Sequence, residues 1–168
     1  KPERPTYHPS KDIGEFTHYG DQTLVLLESV AARSCFELKD FAERWQQFFK
    51  TYDGYFDGAT KATLENIVTG QDPTHSGSDS DDLAGAVRIA PLAYVYQNDL
   101  EQLIAVARAQ TALTHNNSQV IAAAEYFARV IWHVLKNEKP TTAMSLATSE
   151  GFDMEPFSRW IKKGLKSA

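Results

Sequence analysis

Cysteine is almost absent from this chain: Cys35 is the one example in 168 residues. A single thiol forms no internal disulfide and no paired-cysteine metal knuckle, so a reducing compartment, the cytoplasm, is expected. Its position between two apolar helical segments suits a small packed thiol better than a nucleophile. Positive charge is also in short supply. Seventeen Lys and Arg against 22 Asp and Glu leave a net charge of −5, which argues against a nucleic-acid surface. The basic cluster Lys162, Lys163 and Lys166 is explained as a solvated helix face. No apolar run approaches the roughly 20 residues needed to cross a bilayer, so no membrane partner is expected. The opening segment, KPERPTYHPSKD, is polar and proline-rich and does not read as a secretory leader. It does not begin with methionine, which fits a trimmed piece of a longer protein. Neither glycine-rich phosphate loop is present, and the His-Glu-x-x-His zinc pattern is missing. No alternating strand pattern, internal repeat or composition break appears, so the expectation is one all-α domain over 1–168.

What is present reads as helix almost throughout. Residues 1–16 are expected to be extended, because Pro2, Pro5 and Pro9 forbid a helix there. Asp21 can cap a helix to about Arg33, with Leu24, Leu27, Val30 and Ala31 on one face. A second helix, about Leu38–Lys50, gathers Phe41, Trp45, Phe48 and Phe49. Those rings serve as core or, less simply, as a partner-binding face. The loop TYDGYFDG follows, with turns at Gly54 and Gly58, then a helix over about Ala59–Val68 that stops at Gly70. The polar stretch QDPTHSGSDS leads to a run from Asp81 to about Gln97, read as one helix kinked at Pro91. Asn98 or Asp99 caps the next helix, with Leu100, Leu103, Ile104 and Ala107 at helical spacing. The longest helix spans about Ser118–Lys136, and its small residues Ala122, Ala123, Ala124 and Ala128 permit close packing. Shorter helices are expected at about Thr142–Thr148 and Met154–Leu165.

Several side chains stand out chemically. A lone arginine, Arg88, sits within the apolar run, where it can bind an anion or pair with Asp81, Asp82 or another carboxylate. The acidic run Asp79–Asp82 fails the calcium-loop register, since Leu83 falls where a ligand is required. A solvated loop capping the next helix explains it better. His18, Tyr19 and Asp21 lie at a helix start, a setting for a cation-bound water or a phosphate, or simply for capping and packing. His115, in a loop between helices, either faces a cleft or caps.

Three segments, in order, carry a resemblance: Thr17–Ser29 (THYGDQTLVLLES), LAGAVRIAPLAYVY at 83–96, and TALTHNNSQVIAAAEYFARVI at 111–131. Together they resemble the ADP-ribosylglycohydrolases, and most of all the branch that includes the J1-type crystallins. The first is similar to a segment where a Thr-Asp-Asp-Thr metal motif opens a helix ending in Glu-Ser. The second is similar to an Asn-Gly loop running into Met-Arg-Ile-Ala-Pro-Leu, and the third to a Thr-His turn before an alanine-rich helix. The resemblance implies a multi-helix all-α bundle around a two-magnesium site, which hydrolyses an N- or O-glycosidic bond to ADP-ribose in a small molecule or modified protein. It implies Thr17 and Asp21 on the metal side, Asp82 and His115 toward the ligand, and His18, Tyr19 and Arg88 as structural neighbours. Aligned on Glu28 and Ser29, the two motif aspartates fall on His18 and Tyr19, and the Asn-Gly loop on Asp82, Leu83 and Ala84. The metal ligands are thus substituted. The early Gly-Asp and late Asp-x-Asp-Thr segments have no match. The same fold without catalysis, as a crystallin-like structural protein or a binding module, is the alternative.

Overall fold

A computed structural model describes residues 8–72, 75–149, 151–153 and 155–157. The protein is all-α. Helix α1 is His18–Arg33, α2 Leu38–Lys50, α3 Gly58–Val68, α4 Ala84–Val87, α5 Ala90–Val95, α6 Leu100–Ala112, α7 Ser118–Leu135 and α8 Pro140–Ser149, followed by a 3-10 turn at Glu155–Phe157. Among the described residues the one β-type pairing is an isolated parallel bridge between Ser78 and His115. Residues 8–16 form turns rather than helix, as the prolines require, while residues 1–7 lie outside the described chain.

Helix α1 begins earlier than the capping signal indicates. Thr17 occupies the N-cap position and makes no side-chain cap bond, so Asp21 lies inside the first turn. Its buried face also differs from the expected one. His18, Gln22, Val25, Leu26, Ser29 and Val30 point inward at three- and four-residue spacing, whereas Leu24 and Leu27 are 40% and 49% exposed. The polar residues His18 and Gln22 take core positions because partners await them, and the apolar stripe rotates accordingly.

Helix α2 matches its expected bounds, and Phe41, Trp45 and Phe49 are buried with Phe48 packed against them. Each such ring contributes roughly 1.5–3 kcal/mol by leaving water, which makes them core rather than partner surface. The α1–α2 hairpin is pinned at Asp40, whose carboxylate accepts from Ser29 Oγ at 2.8 Å, Arg33 Nε at 2.9 Å and Arg44 Nε at 2.6 Å. Cys35 is half-buried in the connection between the two helices. Gly58 belongs to α3 rather than to the preceding turn, and the helix is capped by Asp57, whose Oδ1 accepts from Thr60 N at 2.6 Å.

The run 81–97 is not one kinked helix. It breaks completely at Arg88–Ile89 into α4 and α5. Pro91 sits in the first turn of α5, where its missing N–H costs nothing, so the proline starts a helix instead of bending one. Asp82 Oδ1 accepts from Ala84 N at 2.8 Å in the turn ahead of α4, but the N-cap position itself is Leu83, with no side-chain cap. Helix α6 is capped by Asp99 through Gln102 N at 3.0 Å. Helix α7 packs along α6 and α8, with Ala122, Ala123, Ala124 and Ala128 all buried, and Asn117 accepting from Gln119 N and Val120 N at its start. The last expected helix, Met154–Leu165, appears as the turn Glu155–Phe157; Met154 and residues 158–168 lie outside the described chain.

Candidate functional site

The centre of the molecule is organised by Arg88, which is 3% exposed. The α4–α5 break lets its guanidinium turn inward, and among the described residues its hydrogen-bond partners are two amide carbonyls and a hydroxyl, not a carboxylate. Nε donates to Gln110 Oε1 at 2.8 Å, Nη1 to Gln22 Oε1 at 2.7 Å, and Nη2 to Thr114 Oγ1, while the Phe41 ring lies 5.9 Å away. The expected pairing with Asp81 or Asp82 therefore does not occur, and both aspartates are exposed. Burial depresses the guanidinium pKa to about 10, with the Asp57 charge opposing. The partners are themselves fixed. Gln22 Oε1 also accepts from Trp45 Nε1 at 2.8 Å, and Gln110 Nε2 donates to Gly85 O at 2.7 Å and Thr111 Oγ1 at 2.6 Å.

Beside Thr114 lies His115, which is 2% exposed; the capping role there belongs to Asn117. The His115 Nδ1 is 2.9 Å from Thr114 Oγ1, and its Nε2 is buried without a hydrogen-bond partner among the described residues. Burial first, then the Arg88 charge, lower its pKa to about 4 against the opposing pull of Asp57 and Asp82, so the ring is neutral near pH 7. The loop carrying it is stitched to the 76–78 segment: Asn116 N donates to Ser78 O at 2.7 Å and Ser78 N to Thr114 O at 3.1 Å. Two glycines make this possible. A Cβ on Gly77 would collide with the carbonyl of Ala112 and lie 2.7 Å from Asn116 N, and one on Gly85 would lie 2.7 Å from His115 Nδ1.

At the start of α1, His18 is 1% exposed and its Nε2 donates to Asp57 Oδ2 at 3.2 Å. Its Nδ1 is buried with no partner. The Tyr19 ring lies 3.9 Å from that of His18, tilted by 38°, and Tyr55 closes an edge at 5.3 Å. Burial raises the Asp57 pKa, but hydrogen bonds from His18 and Thr60 outweigh it and hold the carboxyl well below the usual carboxylate range. Burial raises the Tyr19 pKa, and the charges of Asp82 and Asp57 push the same way. Tyr19, Asp57, Asp82, His115 and Arg88 thus share one electrostatic neighbourhood.

The remaining expected residues are engaged differently. Asp21 Oδ2 accepts from Lys11 Nζ at 3.1 Å and from Tyr52 O–H at 2.9 Å, and burial together with that bond pushes the Tyr52 pKa up to about 12. Magnesium asks for several converging hard oxygens. Thr17 and Asp21 do not provide them: Asp21 is already held by a cation and a phenol, and the intervening positions present an imidazole and an aromatic ring. Among the described residues no three His, Cys, Asp or Glu side chains gather as a metal set. Among the described residues, the side chains around Thr17 and Asp21 therefore do not make up the oxygen set of the two-magnesium site that the resemblance implies. A larger surface hollow, lined by Val25, Glu28, Asp40, Glu43, Arg44, Gln47, Phe48 and Thr51, includes none of the residues around His18 or His115.

Sequence reasoning missed Asp57, Tyr55, Gln22 and Gln110, and had Thr114 only as part of the Thr-His turn. Asp57 carried a signal, an Asp three residues before Thr60 at a helix start, which is a capping pattern. Gln22 and Gln110 carried none, since a glutamine inside an apolar helix face shows no sign of which arginine it will meet.

Comparison with known proteins agrees with this architecture. A family model described as ADP-ribosylglycohydrolase matches residues 2–168. An uncharacterized protein of Archaeoglobus fulgidus is 28% identical over 121 residues, covering 71% of this chain and 40% of that protein. The chain spans about two fifths of the length of this curated relative, by the 40% covered. No helix among the described residues is long and apolar enough to cross a membrane. With the match running over nearly its whole length and the three motif segments folded around one arginine, this chain belongs to the ADP-ribosylglycohydrolase family.

Proposed function

We propose that this chain binds ADP-ribose or a related ADP-ribosyl ligand, as a free small molecule or on a modified protein. The ligand would lie at the junction of the α1 start, the 79–82 loop and the His115 turn. The associated chemistry is hydrolysis of an N- or O-glycosidic bond to that ligand, on a scaffold whose metal ligands are substituted. One observation carries the reading. Gln22, Arg88 and Thr114 come from the three separate segments that bear the family likeness, and they meet at a single guanidinium. Asp82 is exposed, and a carboxylate suits ribose hydroxyls as an acceptor better than it suits a pyrophosphate, which supports a sugar rather than phosphates beside it.

A second reading is favoured by Asp21. A carboxylate locked by Lys11 and Tyr52 is a structural group, which supports a non-catalytic role, as a crystallin-like structural protein or a binding module on the same fold. Calorimetric titration of the chain with ADP-ribose, with and without magnesium, alongside an assay for ADP-ribose release from an ADP-ribosylated substrate, separates the two. Binding of ADP-ribose with release supports the hydrolase. Binding without release supports the binding module. A flat ADP-ribose isotherm with no release removes the ligand reading and leaves the structural one.

A further inference from the structure

His115 poses a question the proposed function leaves open: its Nε2 is buried with no partner among the described residues, while its Nδ1 is bonded. The hydroxyl between Arg88 and His115 answers which nitrogen holds the proton. An arginine only donates, so Arg88 Nη2 takes one lone pair of Thr114 Oγ1. The other contact of that hydroxyl oxygen is His115 Nδ1 at 2.9 Å. If Nδ1 also carried a proton, two donors would point at one oxygen and the threonine proton would have no acceptor. The bonding closes when Thr114 O–H donates to Nδ1. A neutral imidazole with an accepting Nδ1 carries its proton on Nε2.

We propose that Arg88 and Thr114 are a positioning pair that holds neutral His115 in its Nε2–H form, so that this edge of the ring donates to an oxygen atom of the bound ligand instead of offering a lone pair to a cation. Gly85 and Gln110 support the pair. The glycine lets α4 press on the Cγ–Nδ1 edge, and Gln110 ties Gly85 O to Arg88 Nε. A buried N–H left without an acceptor costs about 1–3 kcal/mol, so an oxygen at this position relieves a cost already present in the fold. The tautomer half of the proposal stands on the geometry alone; the ligand half rests on the ADP-ribosyl reading above.

The test is long-range proton–nitrogen NMR of the imidazoles in the full 168-residue chain, with His115 assigned through His115→Gln. The expected wild-type result is a protonated Nε2 and an unprotonated Nδ1 shifted as a hydrogen-bond acceptor. Thr114→Ser should preserve that Nδ1 shift, and Thr114→Val should move it to the value of a free acceptor or mix in the other tautomer. A protonated Nδ1 in the wild type, or an Nδ1 resonance unmoved by Thr114→Val, overturns the proposal. Should the valine variant not fold, the wild-type and serine spectra decide the same point. ADP-ribose is then added to the wild type. A shift of the Nε2 resonance supports the ligand half. Calorimetric binding that leaves Nε2 unmoved overturns it and assigns the buried donor to water. Absence of any binding removes the ADP-ribosyl reading while the Nδ1 result stands.

Discussion

Arg88 shows how one residue can tie distant segments of a fold together. A buried guanidinium without a carboxylate is tolerated because two amide carbonyls and a hydroxyl replace its water. Arg88→Met would leave Gln110 Oε1 and Thr114 Oγ1 without their donor, at about 1–3 kcal/mol for each acceptor left unpaired. A denaturant unfolding curve should show that loss as a lower midpoint with an unchanged slope. Asp40 acts through charge. Hydrogen bonds from Arg44 and Ser29, with a further one from Arg33, hold its pKa at about 2 against the raising effect of burial. Its folded value lies below the unfolded value of about 3.9, so its stabilisation is complete above that pH and disappears as pH falls toward 2. The stability gap between wild type and Asp40→Asn should therefore be widest near neutrality and close on acidification, read from unfolding midpoints across pH 2–7. A gap that stays constant with pH would contradict that assignment.

Among the elements, the α4–α5 pair is the most instructive. The break at Arg88–Ile89 falls in the turn that Pro91 would itself interrupt, opposite the Val87 carbonyl, but the same turn carries the guanidinium inward to three partners that hold it there without the proline. Pro91→Ala should therefore leave helix content unchanged by circular dichroism. Its cost should be about 0.4–1 kcal/mol, through the greater freedom of the unfolded chain. A gain in helicity, with α4 and α5 fused, would return the break to the proline. Helix α1 makes the companion point. Its inward stripe includes His18, Gln22 and Ser29, and its exposed side carries Leu24 and Leu27. Of the expected face, Val30 is buried but Leu24, Leu27 and Ala31 are exposed, because the polar residues had buried partners waiting on Asp57, Trp45, Arg88 and Asp40.

For the molecule as a whole, family membership and the scarcity of converging oxygen donors among the described residues pull in different directions, and metal linkage tests them together. A ligand that binds only the folded state raises stability by RT ln(1 + [L]/Kd), about 0.4 kcal/mol when its concentration equals Kd. With Asp21 locked and His18 and Tyr19 in the motif positions, millimolar magnesium should leave the thermal midpoint of this chain where it was. A clear rise on adding magnesium, reversed by chelation, would show that oxygen donors do converge here.

The all-helical class, most helix boundaries and the aromatic core were legible in the chain, because helix period, caps and turn glycines act over three or four residues. The family likeness was legible for the same kind of reason, in three local motifs. The site was only half legible. His18, Tyr19, Asp82, Arg88 and His115 stood out, yet their partners Gln22, Asp57 and Gln110 did not, and Thr114 did so only as part of the Thr-His turn. Hydrogen bonds between residues 22 to 66 positions apart leave no local pattern, and whether an arginine meets a carboxylate or an amide is settled only when distant helices pack and exclude water.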